Sequence, residues 1–177
     1  MRSLHVPLAA AALVAALALT ACDDGAGGDG TGGGGTTGGA KAATCHLAVK
    51  VGPGNAATTA GDTGNVPVTL TNRDSHACSF EGYPDVELSD GKSSRSVADL
   101  KGANPQKVTL QKDETATFTL TYVRGDGGSL SAAMRTVKIG VPGAGSAQSY
   151  PWSYGDVALK TPSEPDASVS PVQVAGD

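Results

Sequence analysis

Thr115-Ala116-Thr117-Phe118-Thr119-Leu120-Thr121-Tyr122 decides the fold. Apolar and hydroxyl side chains alternate without a break. A helix would scatter Ala116, Phe118, Leu120 and Tyr122 around its circumference, whereas a strand puts all four on one face. The threonines form the other face, and β-branched residues suit an exposed pleat. The reading therefore places Phe118 and Leu120 in the core and leaves Thr117 and Thr119 solvated.

The same period recurs on both sides of this run. Leu47, Val49 and Val51 alternate, as do Val66, Val68 and Leu70. Val86 with Leu88, Val108 with Leu110, the series Val137, Ile139 and Val141, and Val157 with Leu159 repeat the pattern, and residues 97–100 suggest a minor edge strand. Between them lie turn signals: Gly52-Pro53-Gly54-Asn55, Asn72-Arg73-Asp74-Ser75, Lys112-Asp113, Arg124 to Gly128, and Pro142-Gly143. Only Ser129 to Met134 reads as a helical turn. Seven or eight short strands with turns between them imply an all-β domain, an antiparallel Ig-like β-sandwich over residues 44–160. Beyond Pro162 the chain is Ser, Pro, Glu and Asp, so residues 161–177 are expected to be a disordered tail, with Val169 to Val174 the one stretch able to add an edge strand.

Upstream of the domain the composition changes. Residues 1–21 read as a signal peptide: Arg2 supplies the positive start, and Leu8 to Leu19 is continuously apolar. As a helix that run spans roughly 18 Å, short of the ~30 Å hydrocarbon core. It ends in Leu19-Thr20-Ala21-Cys22, an aliphatic residue and two small ones before a cysteine. These four residues resemble a bacterial lipobox, which implies a diacylglyceryl-type lipid on Cys22, palmitate-like chains, and a protein held at the extracytoplasmic face of the cell membrane. Two acyl chains make a stable anchor where one does not. Residues 22–43 follow as a Gly-rich linker. More than half of Asp23 to Ala40 is Gly, and nothing there can bury itself, so a disordered tether is expected. Its position and Gly-rich character look like those of actinomycete lipoproteins.

Three cysteines are present in 177 residues. With Cys22 assigned to the lipid, Cys45 and Cys78 remain to form a disulfide in an oxidising compartment. A metal pair is the alternative, because His46 follows Cys45 and His76 precedes Cys78. The spacing fits neither a zinc site, which needs close ligand pairs, nor blue copper, which needs His and Met soon after Cys.

Several features then fall together: Cys45 before the first strand, Leu70-Thr71-Asn72, and Cys78 followed by Phe80-Glu81-Gly82-Tyr83-Pro84-Asp85-Val86-Glu87-Leu88. Val108-Thr109-Leu110 and Glu114-Thr115-Ala116 come later. Between Thr44 and Val141 the chain resembles a family of actinomycete secreted and lipid-anchored proteins whose domain has no assigned function. That family often carries Gly in the turn where this chain has Lys112-Asp113. The resemblance implies an extracytoplasmic β-sandwich and carries over no catalytic residue.

Chemical motifs are sparse. The net charge is −4, with no basic cluster beyond Lys92-Ser93-Ser94-Arg95, which argues against nucleic acid. No nucleophile elbow, P-loop, dinucleotide fingerprint or EF-hand spacing occurs. No cofactor is implied, and Asp85, Glu87 and Asp90 read as a solvated face rather than a Ca²⁺ site. Tyr150, Trp152 and Tyr154 alternate onto one side: core if that side is buried, a stacking surface for a sugar or an apolar partner if it is exposed. They are the candidate ligand residues, with Tyr83 beside them. The expectation is a lipid-anchored, non-enzymatic binding or interaction module with a protein or cell-wall ligand. The alternative is a metal-handling or hydrolytic domain using His46 and His76.

Overall fold

A computed structural model describes residues 44–175. Within them the structure is all-β, with no helix and with several antiparallel sheets consistent with a β-sandwich. The run that opened the sequence reading is the centre of the larger sheet, strand β8 (Thr115–Val123). The strands before it are β1 (Leu47–Val51), β2 (Thr63–Asn72), β3 (Cys78–Phe80), β4 (Asp85–Ser89), β5 (Ser94–Ser96), β6 (Ala98–Asp99) and β7 (Val108–Leu110). After it come β9 (Ser131–Ala132), β10 (Thr136–Gly140), β11 (Gln148–Pro151), β12 (Val157–Thr161), β13 (Glu164–Pro165), β14 (Ala167–Val169) and β15 (Gln173–Val174). The count reaches fifteen because many strands run only two or three residues.

The larger sheet runs β1-β2-β8-β14-β6, with β15 also pairing β8. The second runs β11-β10-β4-β5, and two small ribbons, β13-β12-β9 and β3-β7, complete the set. One face of each main sheet supplies the core. Val66, Val68, Leu70, Ala116, Phe118, Leu120 and Tyr122 from the first share a single buried cluster with Val86, Leu88, Val137 and Ile139 from the second.

Three expectations need correction. The C-terminal stretch is not a disordered tail: β14 pairs antiparallel to β8, with Val169 opposite Leu120, and both Val169 and Val172 are fully buried. Its composition lacks a long apolar run, but β8 leaves one flank of its backbone ladder open and two valines suffice to cover it. Ser129 to Met134 is not helical; Ser131 and Ala132 pair with β12 instead. Finally, the threonines of β8 are half-buried rather than solvated, because β2 flanks the strand on one side and β14 and β15 on the other. The expected signal peptide, Cys22 and the Gly-rich linker lie outside the described residues.

Cys45 and Cys78 form a disulfide, with Cα atoms 5.7 Å apart and a sequence separation of 33 residues. It joins Cys45, two residues before β1, to the start of β3. Asn72, the last residue of β2 and fully buried, organises the intervening turn. Its Nδ2 donates to the carbonyls of His76 (2.9 Å) and Leu110 (3.0 Å), and its Oδ1 accepts from Asp74 N–H at 2.9 Å.

Candidate binding cleft

The aromatic segment is a strut between the sheets. Trp152 is 7% exposed. It packs edge-on against Tyr122 and Tyr154, with ring centroids 5.1 and 4.9 Å away. Its indole Nε1 donates to the Gly155 carbonyl at 2.6 Å. Tyr122, at the end of β8, donates its hydroxyl to the Tyr154 carbonyl at 2.8 Å and accepts from Ala57 N–H at 3.2 Å. Gly64 leaves the space its ring fills, since a Cβ there would strike the ring. Every polar tip in this knot has a partner, as burial of Tyr and Trp demands. Tyr122, Trp152 and Tyr154 therefore form part of the packing, and Tyr150 and Tyr154, partly buried, pack against the same core.

Tyr150 and Tyr154 are half-buried, and burial pushes both phenols above their ordinary range. Their hydroxyls reach across to β1, to the carbonyls of Val49 (3.3 Å) and Gly52. Pro67 explains the second contact. Residues 52 and 67 face each other as a hydrogen-bonded pair, in which Gly52 N–H donates to the Pro67 carbonyl at 2.8 Å. Proline has no N–H to return the bond, so the Gly52 carbonyl is open to Tyr154.

That register fixes what the outer edge of β1 presents. His46 accepts from Arg73 N–H, and Gly52 donates to Pro67. Even-numbered residues of β1 thus turn their backbone groups toward β2, and odd-numbered ones turn theirs outward. Cys45 uses its pair on the next loop, with its N–H on Gly143 and its carbonyl on Gly145 (both 3.1 Å). The outward groups of Leu47 and Val51 meet no hydrogen-bond partner among the described residues. Beside this edge lies a cleft of about 290 Å³, lined by Leu47, Val49, Ile139, Val141, Ala144 and Gln148 among others. It opens where the edges of the two sheets, β1 and β11, fail to meet.

Residues 42–173 match a family described as a domain of unknown function, DUF4232. The chain belongs to that family. No curated protein and no solved structure matches the chain. The DUF4232 match extends through β14 to the start of β15, so the C-terminal strands fall inside the family's domain.

Of the remaining candidates of the DUF4232 domain, His46 lines the β1 cleft itself, whereas His76 and Tyr83 do not. The Asp74 carboxylate accepts the backbone N–H of His46 at 2.6 Å, so this contact does not involve the His46 imidazole. His76 has only Ser75 Oγ near its Nδ1, at 3.5 Å. Both histidines are exposed, and no group of three or more His, Cys, Asp or Glu among the described residues is placed to hold a metal ion. Tyr83 is half-buried, with its hydroxyl 2.6 Å from the Ala103 carbonyl and 3.2 Å from that of Leu100, so it ties the 100–103 loop down. The β1 edge is a property of sheet order, which no local pattern encodes.

Proposed function

We propose that this domain is a lipid-anchored, extracytoplasmic, non-enzymatic binding module that captures an extended polypeptide by strand addition along β1. The observation that carries the proposal is the outward row of backbone donors and acceptors at Leu47 and Val51, set beside an apolar cleft. Such an edge is satisfied by another strand, whose alternate side chains enter the adjoining groove. The cleft has room for one or two side chains of valine or leucine size. The fitting ligand is therefore an extended segment with small apolar residues at every second position.

The Leu-Thr-Ala-Cys motif and the short apolar run before it support anchoring through Cys22. The Cys45–Cys78 bridge fits an oxidising compartment. The two main sheets support an Ig-like sandwich, an architecture that serves many binding roles and fixes none. In this reading Tyr83, Tyr150, Trp152 and Tyr154 are scaffold: Tyr150 and Tyr154 tie their segment to Val49 and Gly52, and Tyr83 holds the 100–103 loop.

The test is a photo-crosslinking residue at Ala48 in the anchored protein on intact cells, with and without Val49→Pro. Val49 turns its N–H outward, so proline deletes a docking group and spares the β1–β2 ladder. Loss of the crosslinked peptide at unchanged melting temperature is the expected result. Equal crosslinking in both proteins overturns strand addition, and a hydrolytic or metal-binding activity lost on His46→Ala or His76→Ala overturns the non-enzymatic reading.

A further inference from the structure

Away from the β1 cleft, the far end of the second sheet carries an open depression of about 340 Å³. Lys92, Arg95 and Arg135 line it, together with Ser131 and a single acid, Asp90. Those four charges leave two positive on a chain whose net charge is −4. We propose that this depression binds a phosphate group.

The Arg95 guanidinium is positioned before any ligand arrives, while Arg135 is exposed and its side chain carries no bond among the described residues. Arg95 donates Nη1 to Asp90 Oδ2 and Nε to the Pro162 carbonyl, both at 3.0 Å, and its side chain is only 13% exposed. Arg135 is aligned by its backbone, whose N–H donates to Ser89 at 2.7 Å and whose carbonyl accepts from Trp152. Its Cδ crosses the turn at Gly91, 3.3 Å from where a Cβ would stand. Gly91 has φ of 89°, so the turn that makes room for this stem is one glycine favours. Arg95, held by its two bonds, loses little freedom on binding, and guanidinium donors match phosphate oxygens in geometry.

The one acid is engaged on one side by Arg95 and on the other by the backbone, which leaves Arg135 and Lys92 as the uncompensated cations. Asp90 Oδ1 already accepts from the backbone N–H groups of Lys92 and Ser93, both at 2.8 Å. With Arg95, these bonds hold its carboxyl well below the ordinary carboxylate range. Neither Arg135 nor Lys92 has a carboxylate partner among the described residues. The Ser131 hydroxyl, packed against Gly125, is the buried side-chain polar atom without a partner among the described residues. Three cationic side chains line the depression, Lys92 and Arg95 from the β4–β5 hairpin and Arg135 from just before β10, and several donors suit a tetrahedral oxyanion better than a planar carboxylate, which one guanidinium can satisfy alone.

The experiment uses the mature chain with Cys22→Ser, titrated with inorganic phosphate, with glycerol 1-phosphate and with phosphatidylglycerol vesicles at fixed ionic strength. Arg135→Gln and Lys92→Gln are the test variants, and Lys138→Gln, whose lysine pairs with Glu87, is the control. The expected result is saturable binding that weakens at least about tenfold in the double variant, a loss of one charge-assisted contact or more, and is unchanged in the control. Binding to the soluble phosphates alone assigns a free or polymer-borne phosphate; binding to vesicles as well assigns a lipid headgroup. The proposal is overturned by equal affinity in all variants, by acetate competing as well as phosphate, or by no binding to any probe.

Discussion

Asp113 adopts a left-handed backbone, with φ of 64°, in the turn that feeds β8. Asx residues tolerate that region at modest cost, and alanine does not. Asp113 also pairs with Arg73 at 2.9 Å, an ion pair exposed on both sides and worth little. Two substitutions separate the effects. Asp113→Ala should cost about 1 kcal/mol, and Asp113→Asn close to nothing, although both lose the charge. Denaturant titration of the two variants is the check, and equal losses would locate the effect in the ion pair. The resembled family's glycine at this turn has the same explanation, so the departure noted in the sequence is conservative in backbone terms. Asn72 carries more weight. Asn72→Ala removes one buried and two part-buried hydrogen bonds, to the His76 and Leu110 carbonyls and from the Asp74 N–H, so about 2–4 kcal/mol should be lost. Trp152→Ala should cost about 3–5 kcal/mol, measured the same way, as expected for a packed indole and not for a surface platform. The sequence showed Asn72 as a turn former and Trp152 as one member of an alternating trio. Neither the polar roof over Asn72 nor the buried face of Trp152 was legible, because both depend on strands distant along the chain.

At the scale of elements, β8 was readable because its alternation is local, and its apolar face is the core as expected. Phe118→Ala should cost about 3–5 kcal/mol. Thr119→Ala should stay near 1 kcal/mol or less, even though Thr119 is half-buried. Strands β14 and β15 were readable only as one possible edge strand over residues 169–174 within an expected disordered tail. Their valines are few and are set among Ser, Pro and Gln, and they become strands only because β8 supplies the ladder. Truncation after Thr161 is the corresponding test. It exposes the flank of β8 and removes buried Val169 and Val172, each worth about 1.5–3 kcal/mol. Such a chain should melt far lower or aggregate through the bared edge. A truncated protein with the parent's melting temperature would restore the tail to a passive role.

For the whole molecule, the organisation in sequence separates two kinds of inference. The domain between residues 42 and 173 is a member of a family of unknown function, and its all-β nature followed from periodicity. Its location rests on a motif at Cys22. Cys22→Ser should move the protein from the membrane fraction to the medium, and mass spectrometry of the mature N-terminus should find a lipidated Cys22 in the parent. Removing the disulfide through Cys45→Ser with Cys78→Ser should cost about 3–4 kcal/mol for a loop of this size, read as a drop in melting temperature. The cleft beside β1 was invisible at this scale until sheet order was known.

The bridge also has a mechanical meaning. A pull applied through Thr44 reaches Cys45 first, one residue into the described chain. There it passes through a covalent link into β3, and through Cys45's bonds to Gly143 and Gly145 into the loop after β10. Without the bridge, the same load would fall on β1 and open its ladder to β2 one pair at a time. With it, the force is shared among three separate parts of the fold before any strand peels. Load entering at the N-terminal end of the described chain meets a sulfur–sulfur bond before it meets any strand.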